Sequence, residues 1–417
     1  MRIAKIQELI ASCLLTCGIM AGMPTTGDIA IIGLGAVGSA VLYHSAKLGA
    51  KVIGIDRFEP PHDQGSSHGE TRIMRQAIGE GSEFVPLVVR SNEIWEELEA
   101  ATGRNLLTRN GGLVVAVSGK AGRHHGSGSF LQDTIRAAVS YGIPHELLTA
   151  AELRYRFPQF RLTADEDGYF EPGAGFLRPE LCVKTQIEQA RELGASVKMR
   201  ETVLEVRPGE SAVTVISDRA HYEAAKVILT AGPWVAQFLS PQFAPAFLVY
   251  RQTLCWFDLA QNRQRYTPER FPVFIWITGS RVQDMLYGFP AIDGTAGGVK
   301  VATETYDQAV HPDNVPREVS EAWVAAMYTE YIAPRFPDLS NRCLRTATCL
   351  YTVTPDAKFV IDYADAHERL LFASACSGHG FKHSPAIGEA LAQRALGIPG
   401  RLDLSAFSWK RLQKTRS

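Results

Sequence analysis

Ile29-Ala-Ile-Ile-Gly33-Leu-Gly35-Ala-Val-Gly38 is the stretch from which the rest of the chain can be read. An apolar run stops at three glycines in the order G-x-G-x-x-G, and an apolar pattern of helical period follows. A second short apolar run, residues 51–55, ends at Asp56. Strand, glycine turn, helix, second strand and terminal acid are the parts of a dinucleotide-binding βαβ unit. Each residue type has a physical task. Gly33 lets the chain turn sharply out of the strand. Gly35 has no side chain, so a pyrophosphate can approach the backbone, where unpaired N–H groups at the helix start favour an anion. Gly38 lets the helix pack tightly on the strand. Asp56 is placed to accept hydrogen bonds from ribose hydroxyls, and an acid at this point argues against a 2′-phosphate.

Working outward, 417 residues give an expectation of two domains. A formal net charge of −1 gives no support for nucleic acid or an acidic membrane surface as partner. The seven cysteines are scattered, with no C-x-x-C, which suggests a reducing, cytoplasmic setting without a disulfide framework. Residues 1–27 start basic and carry a short apolar run from Leu9 to Gly22. They read as an over-extended start in preference to an export signal, and the run is short for a membrane span.

Helical spacing is expected over 83–100, 128–141, 149–156, 179–193, 318–331 and 385–396. Strands are expected over 111–117, 202–206, 212–216, 225–230, 248–257, 272–277, 285–289, 359–362 and 370–374. Ser377-Gly-His-Gly-Phe-Lys382 forms a second glycine-rich turn ahead of a helix. Two such turns near opposite ends of the chain predict an α/β fold: a Rossmann-like nucleotide domain assembled from 28–105, 170–242 and 345–417. The strand-rich α+β remainder, 106–169 and 243–344, is interleaved with it as a substrate domain. A ligand would sit at the seam.

Several segments are more specific than the glycine motif: Pro60-Pro-His-Asp-Gln-Gly-Ser-Ser-His-Gly-Glu-Thr-Arg-Ile-Met-Arg75, Tyr287-Gly-Phe-Pro290, Cys349-Leu-Tyr-Thr352 and Ser377–Lys382. Through them the chain resembles, over about residues 28 to 410, the monomeric sarcosine oxidase and N-methyl-L-tryptophan oxidase family, and most of all its N-methyl-L-tryptophan type. The resemblance implies a monomer that uses FAD and O2 to oxidise an N-methyl amino acid or related secondary amine. A hydride equivalent passes from the C–H beside nitrogen to the flavin, the imine hydrolyses with release of formaldehyde, and reduced flavin gives H2O2. It implies that Cys349 bonds covalently to FAD, a step suited to a thiolate. Arg72 would lie against the flavin ring, with His68 and Thr71 nearby, and Ser377, Gly378 and Gly380 would serve the cofactor. Arg75 and Lys382 would clamp the substrate carboxylate, Lys300 would assist O2 reduction, and Tyr287 and Tyr351 would orient the substrate.

There is one departure: relatives carry histidine four residues after the O2-activating lysine, where this chain has Glu304. In an extended strand, Lys300 and Glu304 would face the same way about 13 Å apart. Glu304 is expected to alter substrate preference or pH profile. A flavin dehydrogenase with another electron acceptor, an NAD-dependent dehydrogenase and a non-catalytic flavin-binding homologue stay open as alternatives. No metal is called for.

Overall fold

The apolar run at 29–32 becomes the buried half of a strand, Thr25–Ile32, in the centre of an eight-stranded sheet. Val52–Ile55 lies parallel to it on one side and His221–Leu229 on the other. Strands buried on both faces show unbroken apolar runs of this kind. The computed structural model describes residues 25–117, 125, 127–281 and 284–414. The sheet continues through Ser196–Lys198 at one edge. On the other side, Val213–Ser217 pairs antiparallel with the first half of His221–Leu229, and Leu370–Ser374 pairs parallel with its second half. Helix Ala36–Lys47, which starts at the glycine turn, packs against Pro179–Glu192 and Ser384–Ala395. Gly388 permits the second contact, since a Cβ there would lie 2.4 Å from the Ala40 Cβ.

A second eight-stranded sheet runs in the order Leu339–Val353, Leu248–Leu259, Val299–Ala302, Met285–Phe289, Val273–Ile277, Gly112–Val117, Glu166–Glu171, Glu146–Leu148. It is antiparallel throughout except where Val273–Ile277 runs parallel to Gly112–Val117. An aromatic core including Phe160, Phe271, Phe274, Trp276 and Phe336 packs against it. A third, small sheet sets Gly175–Leu177 between Arg72–Met74 and Leu107–Thr108. Among the described residues no helix is long and apolar enough to cross a membrane.

Four expectations need correction. The first strand begins at Thr25, inside the stretch expected as an extension, because Thr25, Thr26 and Gly27 pair with Tyr222, Glu223 and Ala224. The remainder of that stretch, residues 1–24, lies outside the described residues. The switch expected between 344 and 345 falls inside the Leu339–Val353 strand, which pairs with Leu248–Leu259 on both sides of that point. The helix expected over 318–331 is α-helical only over Glu321–Met327 and widens into a π turn at Tyr328–Ile332. The strand bearing Lys300 ends at Ala302, so Glu304 does not share an extended segment with it.

Candidate active site

A cleft enclosing about 1840 Å³, counted out to its open mouth, runs from the glycine turn to the inner face of the second sheet. At one end the backbone sets the shape. Gly33 has φ 89°, and a Cβ there would lie 2.7 Å from the Thr230 carbonyl oxygen. A Cβ on Gly38 would fall 1.8 Å from the Gly33 oxygen. A Cβ on Gly35 would meet only the Ser67 hydroxyl, at 3.4 Å, so this residue leaves room for a ligand. Thr230 locks the turn by donating its hydroxyl to the Gly33 carbonyl at 2.7 Å. Asp56 accepts from the Leu34 and Phe58 amides at 2.7 and 2.8 Å. Burial pushes its carboxyl above the ordinary range, against the pull of those two amides.

In the middle of the cleft the wall is Arg72, whose guanidinium donates to the Thr71 and Ser66 carbonyls at 2.8 and 2.7 Å. The Cys349 sulfur stands 3.5 Å from the same guanidinium. Burial alone would raise the thiol, but Arg72 and His68 overcome it and Cys349 sits at about 7. Its thiolate is therefore well populated at neutral pH. Lys300 approaches Arg72 from the second sheet. Its Nζ donates to the Gly69 carbonyl, the Thr71 carbonyl and the Thr71 hydroxyl at 2.7, 3.1 and 3.0 Å. The rings of Phe289 and Trp256 lie 4.6 and 5.5 Å from it. Burial, and then Arg72, push Lys300 well below the ordinary lysine range. Cys349, His68, Thr71 and Lys300 form the layer against Arg72 and do not themselves line the cleft.

The far end holds Tyr287, Tyr351, Arg75, Lys382 and Glu304. The two phenol oxygens are 3.3 Å apart, and burial raises both hydroxyls, keeping them neutral donors. Arg75 is not a bare cation. Its guanidinium grips both oxygens of Glu80, at 2.7 and 2.6 Å, and also donates to the Ala77 carbonyl. Lys382 donates to the His379 carbonyl at 2.9 Å and lies 4.0 Å from the same Glu80. Burial lowers Lys382 to about 7. Glu304 also has partners: His125 Nε2 at 3.1 Å and the Tyr306 hydroxyl at 2.7 Å. In the second glycine turn, Gly378 and Gly380 line the cleft, and a Cβ on Gly380 would fall 1.7 Å from the Ala375 oxygen. The Ser377 side chain is buried toward Thr354 and does not itself line the cleft.

The cleft thus joins a dinucleotide turn to a chamber of tyrosines and cations, and residues 28–394 match the model of the FAD dependent oxidoreductase family. The chain belongs to this family. This FAD-dependent oxidoreductase is 37% identical over 391 residues to monomeric sarcosine oxidase of Streptomyces avermitilis, spanning 94% of this chain and 99% of that one. It is 34% identical over 388 residues to N-methyl-L-tryptophan oxidase of Yersinia pestis, spanning 93% and 99%. The fold matches that of NikD, described as an unusual amino acid oxidase, with a TM-score of 0.78 at 22% identity, covering 92% of this chain and 97% of that one.

The residues present fit FAD. The glycine turn leaves an open cradle at Gly35, and the His68 Nε2 and Arg75 Nε atoms are buried without a partner beside the middle and far parts of the cleft. Sequence reasoning missed two residues of this FAD-dependent oxidoreductase that line its far end, Glu80 and His125. Glu80 had a faint signal, an acid between two glycines five residues after Arg75. His125 had none, since only the fold brings it to Glu304.

Proposed function

We propose that this FAD-dependent oxidoreductase is an oxidase of secondary amino acids of the sarcosine or N-methyl-L-tryptophan type, with FAD held covalently by Cys349. FAD, when bound, would supply the redox chemistry, taking a hydride equivalent from the C–H beside the amine nitrogen and passing electrons to O2 as H2O2. The chain's own residues would bind, orient and charge-match around it. Gly33, Gly35 and Gly38 would receive the pyrophosphate, and Asp56 the ribose hydroxyls. Arg72 lowers the Cys349 thiol, which favours the thiolate needed for the tether. Lys300 offers a fixed donor where negative charge would develop on oxygen.

One observation carries the substrate assignment: Arg75 and Lys382, brought from distant segments, converge on a single carboxylate, that of Glu80. A site that already binds an internal carboxylate has the geometry for an amino acid's acid end. Binding would be an exchange, with Glu80 giving way to the ligand. Tyr287 and Tyr351 would then direct the amine-bearing carbon into the cleft. The relatives' names, the lack of any C-x-x-C motif and the balanced charge support a monomer in the cytoplasm acting on a small molecule.

The test is direct. Acid-denatured, washed protein is expected to stay yellow, and the Cys349 peptide to carry the mass of FAD. Cys349→Ser should give a colourless pellet. Sarcosine or N-methyl-L-tryptophan should yield equal amounts of H2O2 and formaldehyde. Dye reduction without peroxide would move the assignment to a dehydrogenase, and no flavin reduction by any N-methyl amino acid would end it.

A further inference from the structure

Lys300 is held by a turn, and the turn is held by Glu180. The Thr71 amide donates to the Gly69 carbonyl at 2.8 Å, and Glu70 between them has φ 69°. This is a γ-turn of the positive-φ kind, the rarer and more strained form. Gly69 has φ 94°, and a Cβ on it would fall 2.6 Å from the Leu254 methyl carbon. Such a turn persists only where its surroundings over-determine it. Its inner side gives Lys300 two carbonyls and a hydroxyl. Its outer side points two amides, Gly69 and Glu70, at one oxygen of Glu180, at 2.6 and 3.0 Å. Glu180 is the second residue of helix Pro179–Glu192, so its backbone is fixed by a different part of the fold.

The charges around Lys300 are Arg72, which disfavours its protonated form, and Cys349, Glu180 and Glu70, which favour it. Thr71, Trp256 and Phe289 complete its surroundings. Glu70 is engaged by Arg345 and, at 3.2 Å, by the Trp256 indole. The Glu180 carboxylate instead spends one oxygen on the turn itself.

We propose that Glu180 is the positioning residue for Lys300: its carboxylate clamps the Gly69–Glu70–Thr71 turn and so fixes the lysine's place. For its kinetic consequence the proposal rests on Lys300 serving O2, as stated under the proposed function; for its structural consequence it does not.

The experiment uses the full-length holoenzyme. Lys300 acetylation by acetic anhydride is read by peptide mass against the exposed Lys51 as standard. Glu180→Ala is expected to label Lys300 several-fold faster than wild type. The same variant should slow reoxidation of reduced enzyme by O2 about tenfold, while anaerobic reduction by sarcosine stays within about twofold. Glu180→Gln keeps an acceptor oxygen without the charge. Its labelling should stay near wild type, but the pH above which reoxidation declines should move lower, because removing a carboxylate disfavours the protonated lysine. Unchanged labelling in Glu180→Ala overturns the clamp. Equal loss in both half-reactions overturns the specific role, leaving only general destabilisation. Lys300→Met separates the two claims: if it reoxidises as fast as wild type, the O2 assignment fails, and labelling alone decides for or against the clamp.

Discussion

The two ends of the cleft are built on opposite principles. At the glycine turn the structure depends on atoms that are absent: a single methyl group on Gly38 would land 1.8 Å from a carbonyl oxygen, far inside van der Waals contact. Nothing there needs to move before a ligand arrives. At the far end the structure depends on charges already satisfied by the protein, with Arg75 on Glu80 and Lys382 on the His379 carbonyl. Under the proposed function, each would change partner before serving a substrate. Rigid moulds and exchangeable pairs answer differently to mutation and to pH.

The largest effect should come from the mould. Gly38→Ala places a Cβ 1.8 Å from the Gly33 oxygen and 2.6 Å from the Thr230 hydroxyl. It is expected to cost about 3 kcal/mol or more and to yield flavin-free protein, read by thermal unfolding and the visible flavin band. A yellow, stable variant would show that this end can relax after all. Next comes the pair. Arg75→Met removes the guanidinium that grips buried Glu80, a loss of about 3–5 kcal/mol, and raises KM for N-methyl amino acids about 100-fold. Arg75→Met/Glu80→Gln should recover most of the stability and none of the KM. Recovery of both would break the contrast between the two ends.

The pH response should be smaller. Lys382, lowered by burial to about 7, is charged below that pH and neutral above it. Affinity for a carboxylate substrate should therefore be full below pH 7 and weaken above it, by up to about tenfold per unit. Lys382→Met should flatten the profile, and a flat wild-type curve would exclude Lys382 from the clamp. The smallest effect is expected at Glu304, which is held by His125 and Tyr306 and not left as an open anion. Glu304→His should change the ratio of kcat/KM between sarcosine and N-methyl-L-tryptophan by about tenfold, with flavin content unaltered.

The contrast also explains what could be read from the sequence. The turn at Gly33–Gly38, the strand after it and Asp56 were legible because steric absence leaves a fixed residue pattern. Arg75 and Lys382 could be placed by resemblance, but their internal partner could not, because ion pairs across a fold have no spacing rule. Lys300 was legible as a residue; the γ-turn that holds it was not, since Glu70 is an unremarkable residue type at a positive φ. The Leu339–Val353 strand escaped notice because its first half is polar and exposed, with Asn341, Arg342 and Arg345, and its pairing carries two register shifts. Glu304 was set in an extended segment that ends two residues sooner, which hid its pairing with His125.

The small three-stranded sheet has a further consequence. It registers Arg72 opposite Leu177 and Met74 opposite Gly175, and its central strand leads straight into the helix that carries Glu180. One short jig therefore mounts the wall of the cleft, the approach to the Arg75 guanidinium and the brace proposed for the buried lysine. Slipping its ladder by a single residue would turn Arg72 to the opposite face. A methyl group on Gly175, 1.9 Å from the Thr108 carbonyl oxygen, would press on that ladder without touching any ligand. Damage far from the chemistry would then surface as several faults at once.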